Sequence, residues 1–166
     1  MYYKANENNL CRIFRGLPSA VALIQGGDGY NRISGTVKFY QAVRGVLVSA
    51  DIIGLPSSVD VCRRKIFGFH IHGGGECSGS AEDPFANSGA HYNPSDCPHP
   101  YHAGDMPPLF CAGGQAFMVF LTNSFTVREI IGKTVVIHDS PDDFTTQPAG
   151  NSGRKIACGV ISEVRR

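Results

Sequence analysis

The chain has 166 residues, enough for one domain with a sizeable core, and its 42% apolar share is ordinary for a globular protein. Fifteen lysines and arginines against 14 acids leave a formal charge of +1, which excludes the strongly basic balance of proteins that bind nucleic acid or anionic membranes. No run approaches the roughly 18 consecutive apolar residues that span a bilayer, and the opening MYYKANENNLCRIFRG lacks the apolar run of a signal peptide. The expectation is a cytoplasmic protein acting on a small substrate, with no nucleic-acid and no membrane partner; an exported protein whose leader had been removed would read the same.

Residues 1–16 show no strand pattern and read as an N-terminal extension, with residues 17–166 as the domain. From Ser19 to Gly54 the apolar runs AVALIQ, ISGTVKFYQA and VLVSADIIG are separated by the turn segments GGDGYN and VRG, which predicts three antiparallel strands. KIFGFHIH reads as a fourth strand, and QAFMVFL, KTVVIH and KIACGVIS as later ones. The helical period is nearly absent, apart from a turn at VREIIG. Two irregular stretches, Gly73 to Leu109 and Asp139 to Gly153, are rich in turn-forming residues. Loops of this length in a compact domain are functional or disordered, and the histidines in the first point to function. There is no internal repeat. The fold class predicted is all-β, a β-sandwich or barrel with two long functional loops.

Five of the six histidines lie between residues 70 and 105. On a strand, residues i and i+2 point to the same face, so His70 and His72 in GFHIHGGGEC can present two imidazoles to one ion; taken alone, the pair reads equally well as exposed polar residues. His138, which ends VVIH, could supply a third ligand from a neighbouring strand. His91 in GAHYNP, His99 and His102 in CPHPYH, and Asp105 just beyond them offer imidazoles and a carboxylate at short spacing, the donor set of a tetrahedral zinc site. Nitrogen donors also suit copper, whereas calcium and magnesium require oxygen. The seven donors are too many for one four-coordinate ion and about right for two.

GFHIH, GAHYNP, His99 and His102 leading into GD, VVIHD followed by DD, and GNSGRKIACGVI occur in an order that resembles the copper/zinc superoxide dismutases, over about residues 18 to 162. The resemblance implies a Greek-key, immunoglobulin-like β-sandwich or barrel, the cofactors copper and zinc, and superoxide as substrate. It implies copper on His70, His72, His91 and His138, and zinc on His91, His99, His102 and Asp105, with His91 bridging the metals and moving a proton. Asp142 matches the family's aspartate that hydrogen-bonds one histidine of each metal. Cys77 and Cys158 match the family's intrasubunit disulfide, and pairing into a homodimer is frequent in the family.

Two features depart from the family pattern. Lys155 stands where the family places the arginine that receives superoxide, and the arginine is its neighbour Arg154. Adjacent strand residues face opposite sides, so Arg154 reaches the same spot only if the preceding loop twists it there, while Lys155 could supply charge without the guanidinium fork. The segment DSPDDFTTQPAGNSGR holds acids and no base before Arg154, which predicts weak long-range attraction and a slower enzyme. Cys97 and Cys111 have no counterpart and could form a second local disulfide or remain free, with Cys97 as zinc ligand a lesser alternative; Cys11 and Cys62 could tie down the extension. Two rival functions stand beside the dismutase: a non-catalytic copper/zinc-binding protein and a purely structural sandwich.

Overall fold

The computed structural model describes residues 10–60 and 65–165. The described residues form nine strands: β1 (Ala20–Gly26), β2 (Ser34–Ala42), β3 (Gly45–Ile53), β4 (Ile66–Phe67), β5 (Phe69–His72), β6 (Leu109–Phe110), β7 (Gln115–Thr122), β8 (Thr134–His138) and β9 (Lys155–Glu163). The helical pieces are α1 (Leu10–Phe14), α2 (Val127–Ile130) and a 3₁₀ turn at Ala86–Ser88. None of the described helices is long and apolar enough to cross a membrane.

Seven strands form one curled antiparallel sheet in the order β5-β8-β9-β1-β2-β3-β7, and β4 pairs with β6 beside it. Strands β1, β2 and β3 follow one another as neighbours, and β9 returns by a long connection to lie beside β1, which is the Greek-key order. The fold is thus the all-β class expected, and the three strands of residues 19–54 form as antiparallel neighbours. Alternation decides which side chains enter the core. Ala22 and Ile24 of β1, Val37 and Phe39 of β2, Phe69 and Ile71 of β5, and Val135 and Ile137 of β8 all point into one apolar cluster.

KIFGFHIH is not one strand. It divides at Gly68, so that Phe67 pairs with Leu109 of β6 while Phe69 pairs with Ile137 of β8. A Cβ at Gly68 would stand 2.9 Å from the Cβ of Ser152 and 3.2 Å from that of His138. Only glycine lets the chain change partners this close to the site. Within the extension, Leu10–Phe14 form α1, and the Phe14 ring lies 5.7 Å from that of Tyr40. The stretch from Gly73 to Leu109 contains the 3₁₀ turn and runs into β6, and VREIIG contains α2.

Cys77 and Cys158 form a disulfide across 81 residues of sequence, with Cα atoms 5.6 Å apart. It ties the long loop to β9, against Phe85 and Val136, and a closure of this kind contributes typically about 2 to 4 kcal/mol. Cys97 and Cys111 are free thiols, so the second local disulfide does not form. A Cys11–Cys62 pairing lies outside what the structure describes.

Candidate metal centre

The core needs only one face of β5. Phe69 and Ile71 fill it, so His70 and His72 project from the opposite face, which the loop after Gly73 covers until both are buried. Backbone hydrogen bonds hold that loop along β5: Tyr92 N–H donates to Ile71 O at 2.8 Å, and Ile71 N–H donates to Gly104 O at 2.9 Å. His91 is thereby set beside His72, and Asp105 beside His70. On β8, His138 shares the outward face of Val136, the partner of His70 across the ladder.

These placements bring the expected donors together as two groups. His70, His72, His91 and His138 form one, and His91, His99, His102 and Asp105 the other; in each, the donor atoms lie within 4.8 Å of one another. His91 belongs to both. All six histidines are buried, the most exposed being His102 at 9%.

Four of the rings have one nitrogen held by a hydrogen bond and the other turned inward. His72 Nδ1–H donates to Gly89 O at 2.8 Å and His138 Nδ1–H to Gly153 O at 3.3 Å, which leaves the two Nε2 atoms as acceptors facing each other at 3.2 Å. Two lone pairs at that distance repel unless a cation stands between them. His70 and His99 donate their Nε2–H groups to the two oxygens of Asp142, at 2.7 and 2.9 Å, so their Nδ1 atoms point inward. His70 Nδ1, His91 Nε2 and His99 Nδ1 are buried with no hydrogen-bond partner. Asp105 completes the second group, with Oδ1 2.8 Å from His91 Nδ1 and Oδ2 3.0 Å from His99 Nδ1. Orphaned buried nitrogens and paired acceptors fit metal ions, and the donor chemistry fits copper in the all-imidazole group and zinc in the group with a carboxylate.

Burial first, and then the neighbouring histidines, push His72 well below the ordinary histidine range and His138 to about 3. Burial also lowers His70, although its hydrogen bond to Asp142 opposes the shift. At neutral pH these rings are therefore neutral, the form that binds metal. Burial alone would raise Asp142, but hydrogen bonds from His70, Phe144 N–H and His99 outweigh it and hold the carboxyl far below the usual range. The lowered histidines fix a sign. Their stabilising contribution is complete above the unfolded value of about 6.5 and is lost as pH falls toward the depressed values. Chelator-treated protein should accordingly melt at progressively lower temperature between about pH 6.5 and about pH 3, where His138 finally titrates. A melting temperature that stays flat across that window would contradict this.

A bulge in β9 sets which of Arg154 and Lys155 shares the face of His138. Ala157 pairs with Ile137, but His138 pairs with Lys155, so Ile156 is skipped. The extra residue turns Lys155 onto the face of His138. Its Nζ donates to Asp83 Oδ2 at 2.9 Å and to Phe85 O at 3.1 Å, and its charge contributes to lowering His138. Arg154 is instead 73% exposed; it donates to Asp139 at 3.3 Å and to the Tyr30 hydroxyl at 2.9 Å. Asp83, Phe85 and the carbonyls of Gly89 and Gly153 are site elements that sequence reasoning missed, since a lysine's anion partner and a backbone acceptor leave no motif.

A Greek-key barrel that carries two histidine-rich groups joined by one shared imidazole defines a class of β-barrel protein with a paired metal centre. The family model described as "Copper/zinc superoxide dismutase (SODC)" matches residues 33–161. "Superoxide dismutase [Cu-Zn] 2" of Aquifex aeolicus is 32% identical over 144 residues, covering 78% of this chain and 79% of that protein. "Superoxide dismutase [Cu-Zn]" of Deinococcus radiodurans is 30% identical over 155 residues, covering 82% and 81%. The "Copper chaperone for superoxide dismutase" of Mus musculus is 27% identical over 161 residues, 89% of this chain and 54% of that protein. The chain belongs to the copper/zinc superoxide dismutase family.

Proposed function

We propose that the protein is a superoxide dismutase in which His70, His72, His91 and His138 hold copper and His91, His99, His102 and Asp105 hold zinc. The single observation that carries this reading is the membership of His91 in both groups. Copper, when bound, supplies the one-electron redox couple by which two superoxide anions and two protons become dioxygen and hydrogen peroxide, and zinc supplies a fixed charge without redox chemistry.

The chain's own residues supply the rest. His91 Nδ1 is directed at Asp105, and its Nε2, buried and unpartnered, is the atom at which the site can hold a proton and give it up. Lys155, on the His138 face, is the cation that receives the anion. Asp142 keeps one ring of each group in its tautomer and orientation.

One observation favours the non-catalytic alternative. Lys155 lacks the guanidinium fork, and Asp83 offsets part of its charge. A superoxide-decay measurement alongside metal analysis separates the two: the dismutase decays superoxide well above the free-solution rate in proportion to bound copper. Stoichiometric copper and zinc with no such acceleration would establish the non-catalytic protein.

A further inference from the structure

Asp142 holds His99 by its side chain, and a second residue of the same loop holds it by its backbone. Gln147 Nε2 donates to His99 O at 2.7 Å, and His99 N–H donates to Gln147 Oε1 at 3.0 Å, between residues 48 apart in sequence. Among the described residues, these two backbone groups of His99 have no other protein partner, and His99 is only 3% exposed. A buried peptide group that loses its partner is costly, so the two bonds act together to fix where the His99 backbone lies.

The segment that presents Gln147 is itself tightly closed. The Asp143 carboxylate accepts from Thr145 N–H at 2.9 Å, Thr146 N–H at 2.8 Å and the Thr146 hydroxyl at 2.6 Å. Gly150 N–H donates to Thr146 O at 2.7 Å, and Asp143 N–H donates to Gly150 O at 2.9 Å. Gly150, at φ +65°, packs between the clamps: a Cβ there would come 2.1 Å from Asp142 Oδ1 and 2.6 Å from His99 Nε2. The loop grips His99 from two sides, and among the described residues Gln147, Thr145 and Thr146 have no hydrogen bond to the other members of the zinc group.

We infer that Gln147 is a positioning residue for the zinc group: by holding both backbone polar groups of His99, it sets the direction of the His99 Nδ1 donor. This rests on the assignment of His91, His99, His102 and Asp105 to zinc. Without Gln147 the His99 backbone is free to shift while Asp142 still holds the ring edge, so the donor swings out of line with the other three. Copper affinity is left alone, because none of the copper-group histidines hydrogen-bonds Gln147.

The test compares the full chain with Gln147→Ala and Gln147→Glu. Zinc affinity is measured by chelator competition, copper affinity in parallel, and the visible spectrum is recorded with Co(II) loaded in place of zinc. Gln147→Ala should lose about tenfold in zinc affinity, as removal of an outer partner of a metal ligand does, with a changed Co(II) spectrum and copper affinity within about twofold. Gln147→Glu, which can still accept from His99 N–H but cannot donate to His99 O, should fall between. Loss of zinc and copper affinity together, with a lowered melting temperature of the metal-free chain, would show a merely structural role and overturn the inference, as would unchanged zinc affinity in both variants. An unsubstituted chain that takes up no zinc would overturn the zinc assignment itself, which distinguishes that failure from this one.

Discussion

Replacing Asp142 with alanine should weaken both metal groups at once, each by about 10- to 100-fold. One oxygen of Asp142 takes the Nε2–H of His70, from the all-imidazole group, and the other takes that of His99, from the zinc group. Removal leaves two buried N–H groups unpaired and lets both rings rotate or change tautomer, so the inward Nδ1 atoms cease to be acceptors fixed in direction. The third bond to the carboxylate, from Phe144 N–H at 2.7 Å, links the same residue to the course of the loop. Competition with chelators of graded affinity reads the two losses separately. A loss confined to one group would mean that the second hydrogen bond of Asp142 orients nothing.

The second large effect concerns the cation on the face of His138, which the proposed function casts as the receiver of the anion. Lys155→Met should lower kcat/KM for superoxide by about tenfold or more and flatten its dependence on ionic strength, within the range expected for focused attraction of a charged substrate. Arg154→Met should change both by less than about twofold, because that guanidinium lies exposed between Asp139 and Tyr30 and is screened by water. The parent rate should itself fall short of the diffusional ceiling, since Asp83 sits 2.9 Å from the Lys155 ammonium and Asp139 pairs with Arg154. A larger loss in the Arg154 variant than in the Lys155 variant would reverse the assignment.

Much of the site was legible in the order of motifs. The period-2 placement of His70 and His72, the clustering of His91, His99, His102 and Asp105, and His138 at the end of an apolar strand are local facts, and a strand's geometry turns them directly into a shared face. The same holds for the three strands before Gly54, where alternation and turn residues agree. Gly68 shows the limit. KIFGFHIH alternates well enough for one strand, and nothing in its composition reveals that Leu109 and Ile137 lie on either side of a change of partner. Short strands such as β6 and single turns such as α1 carry too few residues for a period to emerge.

By itself, then, the amino-acid sequence determined the all-β class, the donor residues and their kinds, because ligand chemistry and strand alternation reside in residue type and spacing. Tertiary structure alone decided which nitrogen of each ring faces inward, because that depends on acceptors such as Gly89 O, Gly153 O and Asp142 that come from distant segments. It also set which of Arg154 and Lys155 lies on the face of His138. Strand alternation puts the two neighbours on opposite faces, and a single skipped residue opposite His138 reverses which of them shares its face.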